Sequence, residues 1–262
     1  MPRRATKRAI KRSGKQVSND RAVPPDSNIR MLFDDGWSPV GGADRKGPED
    51  RGRDQKFRKN IRPQNENQKQ FFELVEGRSI VFSVGPAGTG KTYIAVAKAV
   101  EALEAGRVGR IVLSRPAVEA GENLGYLPGD MEDKLSPYLR PLYDALTDRL
   151  SAKKVRALMA EGAIEVAPIA FMRGRTLNNA FIVIDEAQNC TYAQLKMLLT
   201  RLGWHSSMVV TGDPDQTDLL PGVSGLREIT NKLDEVDDIG IVRFEKPDVV
   251  RHPLVAQMIE HI

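Results

Sequence analysis

The stretch Gly85-Pro86-Ala87-Gly88-Thr89-Gly90-Lys91-Thr92 constrains this chain more than any other, because it meets the phosphate-loop pattern G-x-x-x-x-G-K-[ST] at every fixed position. Ser79-Ile80-Val81-Phe82-Ser83-Val84 precedes it, a short and mostly apolar run that reads as a buried strand. Tyr93 to Leu103 follows it, rich in alanine, with Ile94, Ala97, Val100 and Leu103 at helical spacing. Strand, loop and helix is the order such a loop requires. Glycines let the backbone curl so that N–H groups point at phosphate oxygens, and the helix N-terminus adds its positive dipole end. Lys91 supplies a full charge at the β/γ-phosphates, and the Thr92 hydroxyl is a ligand for Mg2+. A Gly-rich turn that merely ends in lysine is the competing reading, and the flanking strand and helix weigh against it.

A second chemical signal lies at Phe181-Ile182-Val183-Ile184-Asp185-Glu186, a buried strand whose carboxyl end delivers two acids. Ligands of open α/β sheets bind at that end. Asp185 suits the Walker B role of holding Mg2+ through water, and Glu186 is the natural general base for an attacking water. A charged strand end with no ligand is the bland alternative. Met208-Val209-Val210-Thr211 is a further strand, ending in Gly212-Asp213-Pro214-Asp215-Gln216. Gln216 there suits sensing a γ-phosphate or orienting water.

The remaining elements fill out an α/β pattern. A helix opens at Arg62, with Pro63 in its first turn, and runs through Leu74. Gln68 in that helix offers a donor and an acceptor to an adenine edge; an exposed helix glutamine is the other reading. Strands are expected at Arg110–Ser114, Ile164–Ile169 and Ile239–Phe244. Residues 119–161 read as loop and helix, with Leu135, Leu139, Leu142 and Leu146 forming an apolar face interrupted by Pro137 and Pro141. A helix is expected from Ser151 to Glu161, a basic loop over Phe171–Thr176, and an amphipathic helix from Tyr192 to Leu202.

Charge divides the chain. Residues 1–62 carry 17 Lys/Arg and 8 Asp/Glu, a net of +9, so the remaining 200 residues carry −5 of the overall +4. Residues 1–60 have sparse apolar residues and several Pro/Gly breaks, and read as a poorly ordered basic arm; residues 61–262 read as one domain. The arm is either a phosphate-backbone contact for nucleic acid or a solubilising tail. A single cysteine, Cys190, excludes an internal disulfide, and three scattered histidines form no ligand pattern. No apolar run approaches a membrane span, and the first residues lack a signal peptide's apolar stretch. A soluble, cytoplasmic protein without membrane contact is the expectation.

Beyond the phosphate loop, a set of segments resembles the PhoH family. They are Arg115-Pro116-Ala117-Val118-Glu119-Ala120-Gly121-Glu122, Gly125-Tyr126-Leu127-Pro128-Gly129, Ser136–Asp144, Met172–Leu177, Asp185-Glu186-Ala187-Gln188-Asn189 and Thr211–Gln216. The resemblance covers roughly residues 62–258. It implies a RecA-like P-loop NTPase fold, a mainly parallel sheet flanked by helices, related to superfamily 1 helicase cores. It implies an ATPase, hence a hydrolase, with ATP and Mg2+ as cofactors, a link to RNA metabolism and phosphate starvation, and homo-oligomeric rings, hexamers above all. By that resemblance Gln68 reads adenine, Gln188 belongs to the Asp-Glu-Ala-Gln box, and Gln216 is the γ-phosphate sensor. Nucleotide binding is carried by Gln68, Gly85, Pro86, Ala87, Gly88, Thr89, Gly90, Lys91, Thr92, Tyr93 and Gln188, and the metal by Thr92 and Asp185. Catalysis is carried by Lys91, Glu186, Gln216 and Arg251.

Arg251 lies where PhoH proteins carry a late arginine. Arg243 sits in an apolar strand and Arg227 in an expected helix, whereas Arg251 precedes His252-Pro253 after a strand-to-loop change. Only one set of motifs is present, so Arg251 acts either in cis or on a neighbouring subunit. The leading reading is an ATPase acting on RNA or single-stranded nucleic acid, with helicase activity open. A nucleotide-switched RNA-binding protein without unwinding is the alternative, and a P-loop small-molecule kinase is the remoter one.

Overall fold

The computed structural model describes residues 61–116 and 131–250, with positions 254 and 258 beyond them. The expected arm (1–60), the loop after Pro116 and Arg251 lie outside the described residues. The elements are α1 (Glu66–Gly77), β1 (Ile80–Val84), α2 (Lys91–Glu104), β2 (Arg110–Arg115), α3 (Met131–Thr147), α4 (Ala152–Ala160), β3 (Ile164–Pro168), β4 (Ala180–Ile184), α5 (Tyr192–Leu199), β5 (Ser207–Gly212), α6 (Leu226–Leu233) and β6 (Ile239–Arg243). The strands form one sheet in the order β3-β2-β4-β5-β1-β6, and every pairing is parallel. This is the RecA-like P-loop architecture expected, with β5 lying between the strand that leads into the phosphate loop and the strand that delivers Asp185.

Parallel strands covered on both faces read as continuous apolar runs. β1 is buried at all five positions, and successive side chains divide between two cores. Val81, Val183, Val209 and Val242 face the side of α1 to α4 with Phe71, Ile94, Val100 and Leu142. Phe82, Val84, Ile182, Ile184 and Val210 face the other side with Leu195, Leu198, Leu226 and Ile229. Each fully buried side chain of this size contributes about 1.5–3 kcal/mol, which is why a one-residue register slip is not tolerated.

Several boundaries differ from the sequence expectation. α1 starts at Glu66, not Arg62, because the Asn65 side chain accepts the Gln68 backbone N–H at 2.7 Å and caps it; Pro63 lies before the helix. α2 buries far more than a stripe: Ile94 to Val100 are all buried, since small alanines let it sit close to the sheet with α3 on its other side. α3 runs unbroken through Pro137 and Pro141; Pro141 lies on its exposed face. β3 stops at Pro168, and a 3-10 turn over Ile169–Met172 occupies part of the expected basic loop. α5 ends at Leu199 rather than Leu202, and the chain turns there so that Leu202 bridges Leu177. Its start carries a capping box between Thr191 and Gln194.

Candidate nucleotide site

Parallel register lines up three strand ends. Val84 pairs with Gly212, and Ile184 pairs with Val210 on one side and Ser114 on the other. The phosphate loop, Asp185-Glu186 and Asp213 therefore emerge together at the carboxyl edge. A cleft of about 310 Å3 opens between them, lined by Ala87, Gly88, Gly90, Lys91, Thr92, Tyr93, Asp185, Glu186, Gln188, Thr211, Gly212, Asp213 and Gln216. A larger groove, about 560 Å3, lies around Ser79, Phe181 and Ser207 at the opposite end of the strands, away from all of these groups. Chemistry, not size, identifies the site.

The loop has the backbone that its glycines permit. Gly85, Gly88 and Gly90 have φ of 136°, 83° and 83°. At Gly85 a side chain is also excluded by contact, because a Cβ would stand 2.3 Å from the Phe244 carbonyl oxygen. Lys91 opens α2 and is 8% exposed; its Nζ donates to the Gly85 and Pro86 carbonyls, both at 2.6 Å. Burial holds its pKa below the ordinary lysine value, opposed by the negative charges of Asp213, Glu186 and Asp185. An ammonium this weakly hydrated and this close to the loop favours an anionic ligand.

Thr92 Oγ1 and Thr211 Oγ1 both donate to Asp185 Oδ1 at 2.6 Å, and Asp185 is 3% exposed. One carboxylate and one hydroxyl, in contact at the edge of a phosphate loop, are the hard oxygen donors that Mg2+ takes when phosphates and water supply the rest. Among the described residues no cluster of three or more His, Cys, Asp or Glu side chains would hold a metal without such help. The donor set therefore fits an Mg–nucleotide complex.

Glu186 stands in the left-handed region, φ 54°, and starts a 3-10 turn over Ala187–Asn189. Arg115 Nη2 donates to its Oε1 at 3.1 Å, and Gln188 Nε2 donates to its Oε2. Gln188 is 3% exposed, and its Oε1 accepts the Asp213 backbone N–H at 3.1 Å. Asn189 and Thr217 extend the link: Asn189 Oδ1 accepts the Asp218 N–H at 2.8 Å, and Thr217 Oγ1 donates to the Gln188 carbonyl at 3.0 Å. The acidic turn and the Asp213-to-Asp218 loop are one hydrogen-bonded unit. Gln216 rides on that loop, exposed, and lines the cleft.

Gln68 is buried, not an exposed helix residue. Its Nε2 donates to the Thr89 carbonyl at 3.1 Å and its Oε1 accepts the Gln64 N–H at 2.8 Å. It braces the loop from behind and is not among the residues lining the cleft. Gly85, Pro86 and Thr89 likewise form the loop's scaffold. Sequence reasoning gave no role to Arg115, Thr211 or Asp213, although all three stand in the quoted motifs; only the pairing of strand ends shows what they touch. Cys190 is buried behind this unit, and burial pushes its thiol up to about 12, so it is not a nucleophile at neutral pH.

The sequence model described as "PhoH-like protein" matches residues 60–262. A PhoH-like protein of Mycobacterium tuberculosis is 57% identical over 203 residues, 77% of this chain and 58% of that protein. One from Bacillus subtilis is 54% identical over 203 residues, 77% and 64% respectively, and the protein PhoH of Escherichia coli is 41% identical over 255 residues, 96% and 69%. The chain thus spans about three fifths of the length of the first of these relatives. Among solved structures, the SWI2/SNF2 ATPase core of Sulfolobus solfataricus superposes with a TM-score of 0.44 at 16% identity, over 72% of this chain and 45% of that one. The Hef helicase domain of Pyrococcus furiosus gives 0.41 at 16% identity, over 69% and 38%. The chain belongs to the PhoH-like family.

Proposed function

We propose that this protein hydrolyses ATP with Mg2+ and couples hydrolysis to binding or remodelling RNA or another single-stranded nucleic acid. The observation that carries the reading is the convergence of Lys91, Thr92, Asp185, Glu186 and Gln188 on one cleft at the carboxyl edge of the sheet. Bound Mg2+ would draw charge from the phosphates, held by Thr92 and Asp185. Lys91 neutralises the phosphate oxygens from the loop side. Glu186 accepts the proton of the attacking water, and Gln216 orients that water or reads the γ-phosphate. Gln68 contributes an adenine contact from the loop's flank by turning an amide now engaged with Thr89.

The nucleic-acid half of the proposal rests on the family and on the +9 charge of residues 1–62. Assembly into a homo-oligomeric ring, hexameric by resemblance, with Arg251 reaching a neighbour's γ-phosphate, belongs to the same proposal, as do a cytoplasmic location and a link to phosphate starvation. A switch that binds RNA with slow hydrolysis and no unwinding is the second reading, favoured by the engagement of both Glu186 oxygens. Kinetics separate the two. ATP turnover is measured with and without RNA, beside a strand-separation assay. RNA-stimulated turnover is expected; slow turnover that RNA leaves unchanged, with ATP-dependent RNA affinity, establishes the switch, and no ATP turnover or binding refutes both.

A further inference from the structure

Glu186 holds an unusual backbone, since left-handed φ is rare for a residue with a side chain and persists only where neighbouring contacts over-determine it. Its carboxylate is gripped from two directions. Gln188 reaches one oxygen from the same turn, and Arg115 reaches the other from a different strand. Arg115 ends β2, the neighbour of β4, where Ser114 lies opposite Ile184 and the Ser114 carbonyl accepts the Asp185 N–H at 2.8 Å. Its side chain is 21% exposed, and its other terminal nitrogen lies 3.5 Å from the Tyr138 carbonyl on α3. A guanidinium partly shielded from water, bonded to Glu186 and close to the Tyr138 carbonyl, makes a more directed charge-assisted bond than a mobile surface pair. Arg115 is not among the residues lining the cleft. It touches the candidate base and not the space for phosphate.

We infer that Arg115 is a positioning residue for hydrolysis: it acts through Glu186, fixing which lone pair of that carboxylate faces the attacking water. The inference rests on the reading of Glu186 as the base. It gives the β2–α3 side of the domain a direct mechanical connection to water activation.

The test is a double-mutant cycle in the full chain, read by single-turnover ATP hydrolysis at saturating nucleotide and by affinity for a fluorescent ATP analogue. The variants are Arg115→Ala, Arg115→Lys, Arg115→Gln, Glu186→Gln and the Arg115→Ala/Glu186→Gln double. Arg115→Ala is expected to slow hydrolysis by roughly 10–100-fold, the usual cost of losing a group that orients a reacting one. Nucleotide affinity should change by less than about threefold, Arg115→Lys should recover part of the rate, and Arg115→Gln less. The double variant should be no slower than Glu186→Gln alone, because two residues acting through one carboxylate are not additive. Losses that multiply in the double variant overturn the inference, as does a parallel loss of affinity in Arg115→Ala. Arg115→Ala at the wild-type rate beside an inactive Glu186→Gln overturns it too, and leaves the base assignment standing. Full turnover in Glu186→Gln removes the base reading itself.

Discussion

Gln188→Glu is the sharpest perturbation of the acidic turn, because it keeps size and one hydrogen bond while reversing another. The Gln188 amide bridges two groups: its Oε1 accepts the Asp213 N–H at 3.1 Å, and its Nε2 donates to Glu186 Oε2. A carboxylate in its place still accepts from Asp213 but turns a second negative charge on Glu186. Two unit charges 4 Å apart repel by about 4 kcal/mol at an effective dielectric of 20. The Glu186 side chain is 35% exposed and water screens part of this, so a net loss of about 1–3 kcal/mol of stability is expected. For a domain of this size that is a fall of roughly 2–12 °C in the thermal midpoint. Gln188→Ala costs a similar amount by leaving the buried Asp213 N–H without its partner, so the midpoint at one pH does not separate the two mechanisms. Acidity does. Repulsion is relieved when the introduced carboxylate takes up a proton, which the folded variant then binds above the ordinary glutamate range and the unfolded chain does not. More protons bound in the folded state means stability that falls as pH rises. The deficit of Gln188→Glu relative to wild type should therefore grow from about pH 5 to 8, while that of Gln188→Ala stays flat. Thermal unfolding followed by circular dichroism across that range is the assay. A deficit independent of pH refutes the proposed contact between the two side chains.

Lys91→Ala is expected to lose tight nucleotide binding, and Glu186→Gln to keep binding but lose turnover; wild-type hydrolysis by the first would remove the phosphate-loop assignment. Gly85→Ala places a Cβ 2.3 Å from the Phe244 oxygen at φ 136°, so a loss of roughly 2–5 kcal/mol in urea unfolding is expected, and a change under 1 kcal/mol contradicts the close approach of Phe244. Deleting residues 1–60 should leave basal ATP hydrolysis intact and flatten the salt dependence of nucleic-acid binding; an unchanged slope makes the arm a solubilising tail. Mixing Arg251→Ala with Lys91→Ala subunits, each inactive alone, should restore activity if Arg251 serves a neighbour; no recovery despite demonstrated subunit exchange refutes a shared site.

The strands and the chemical loops were legible because each is a local pattern: an apolar run of fixed length, a glycine spacing, an acid pair at a strand end. What was not legible depends on which strand ends come together. Nothing near Arg115 in the sequence points to Glu186, 71 residues away; the pairing of β2 with β4 does. In the sequence Gln68 reads as an adenine contact or as an exposed helix residue; only the path of α1 behind the loop shows its amide on Thr89. The start of α1 was misjudged for a different reason. Pro63 is compatible with a first helical turn, but Asn65 is a stronger cap, and its side chain decides the boundary.

The phosphate loop is local in sequence, yet its conformation is set from both far ends of the described domain. From the amino-terminal side, α1 supplies Gln68 to the Thr89 carbonyl. From the carboxyl-terminal side, Phe244 closes over Gly85, its own N–H donates to the Val84 carbonyl at 2.7 Å, and the Val250 N–H donates to the Gly88 carbonyl at 2.9 Å. These two supports are themselves joined, since Asn67 Nδ2 donates to Asp248 Oδ2 at 2.6 Å and that carboxylate also accepts the Glu245 N–H at 2.8 Å. Two of the loop's carbonyls, those of Gly88 and Thr89, are thus held by contacts that no phosphate makes, while Lys91 takes the Gly85 and Pro86 carbonyls from within. Asp248 therefore ties α1 to the segment after β6, and both of these segments hold the loop backbone.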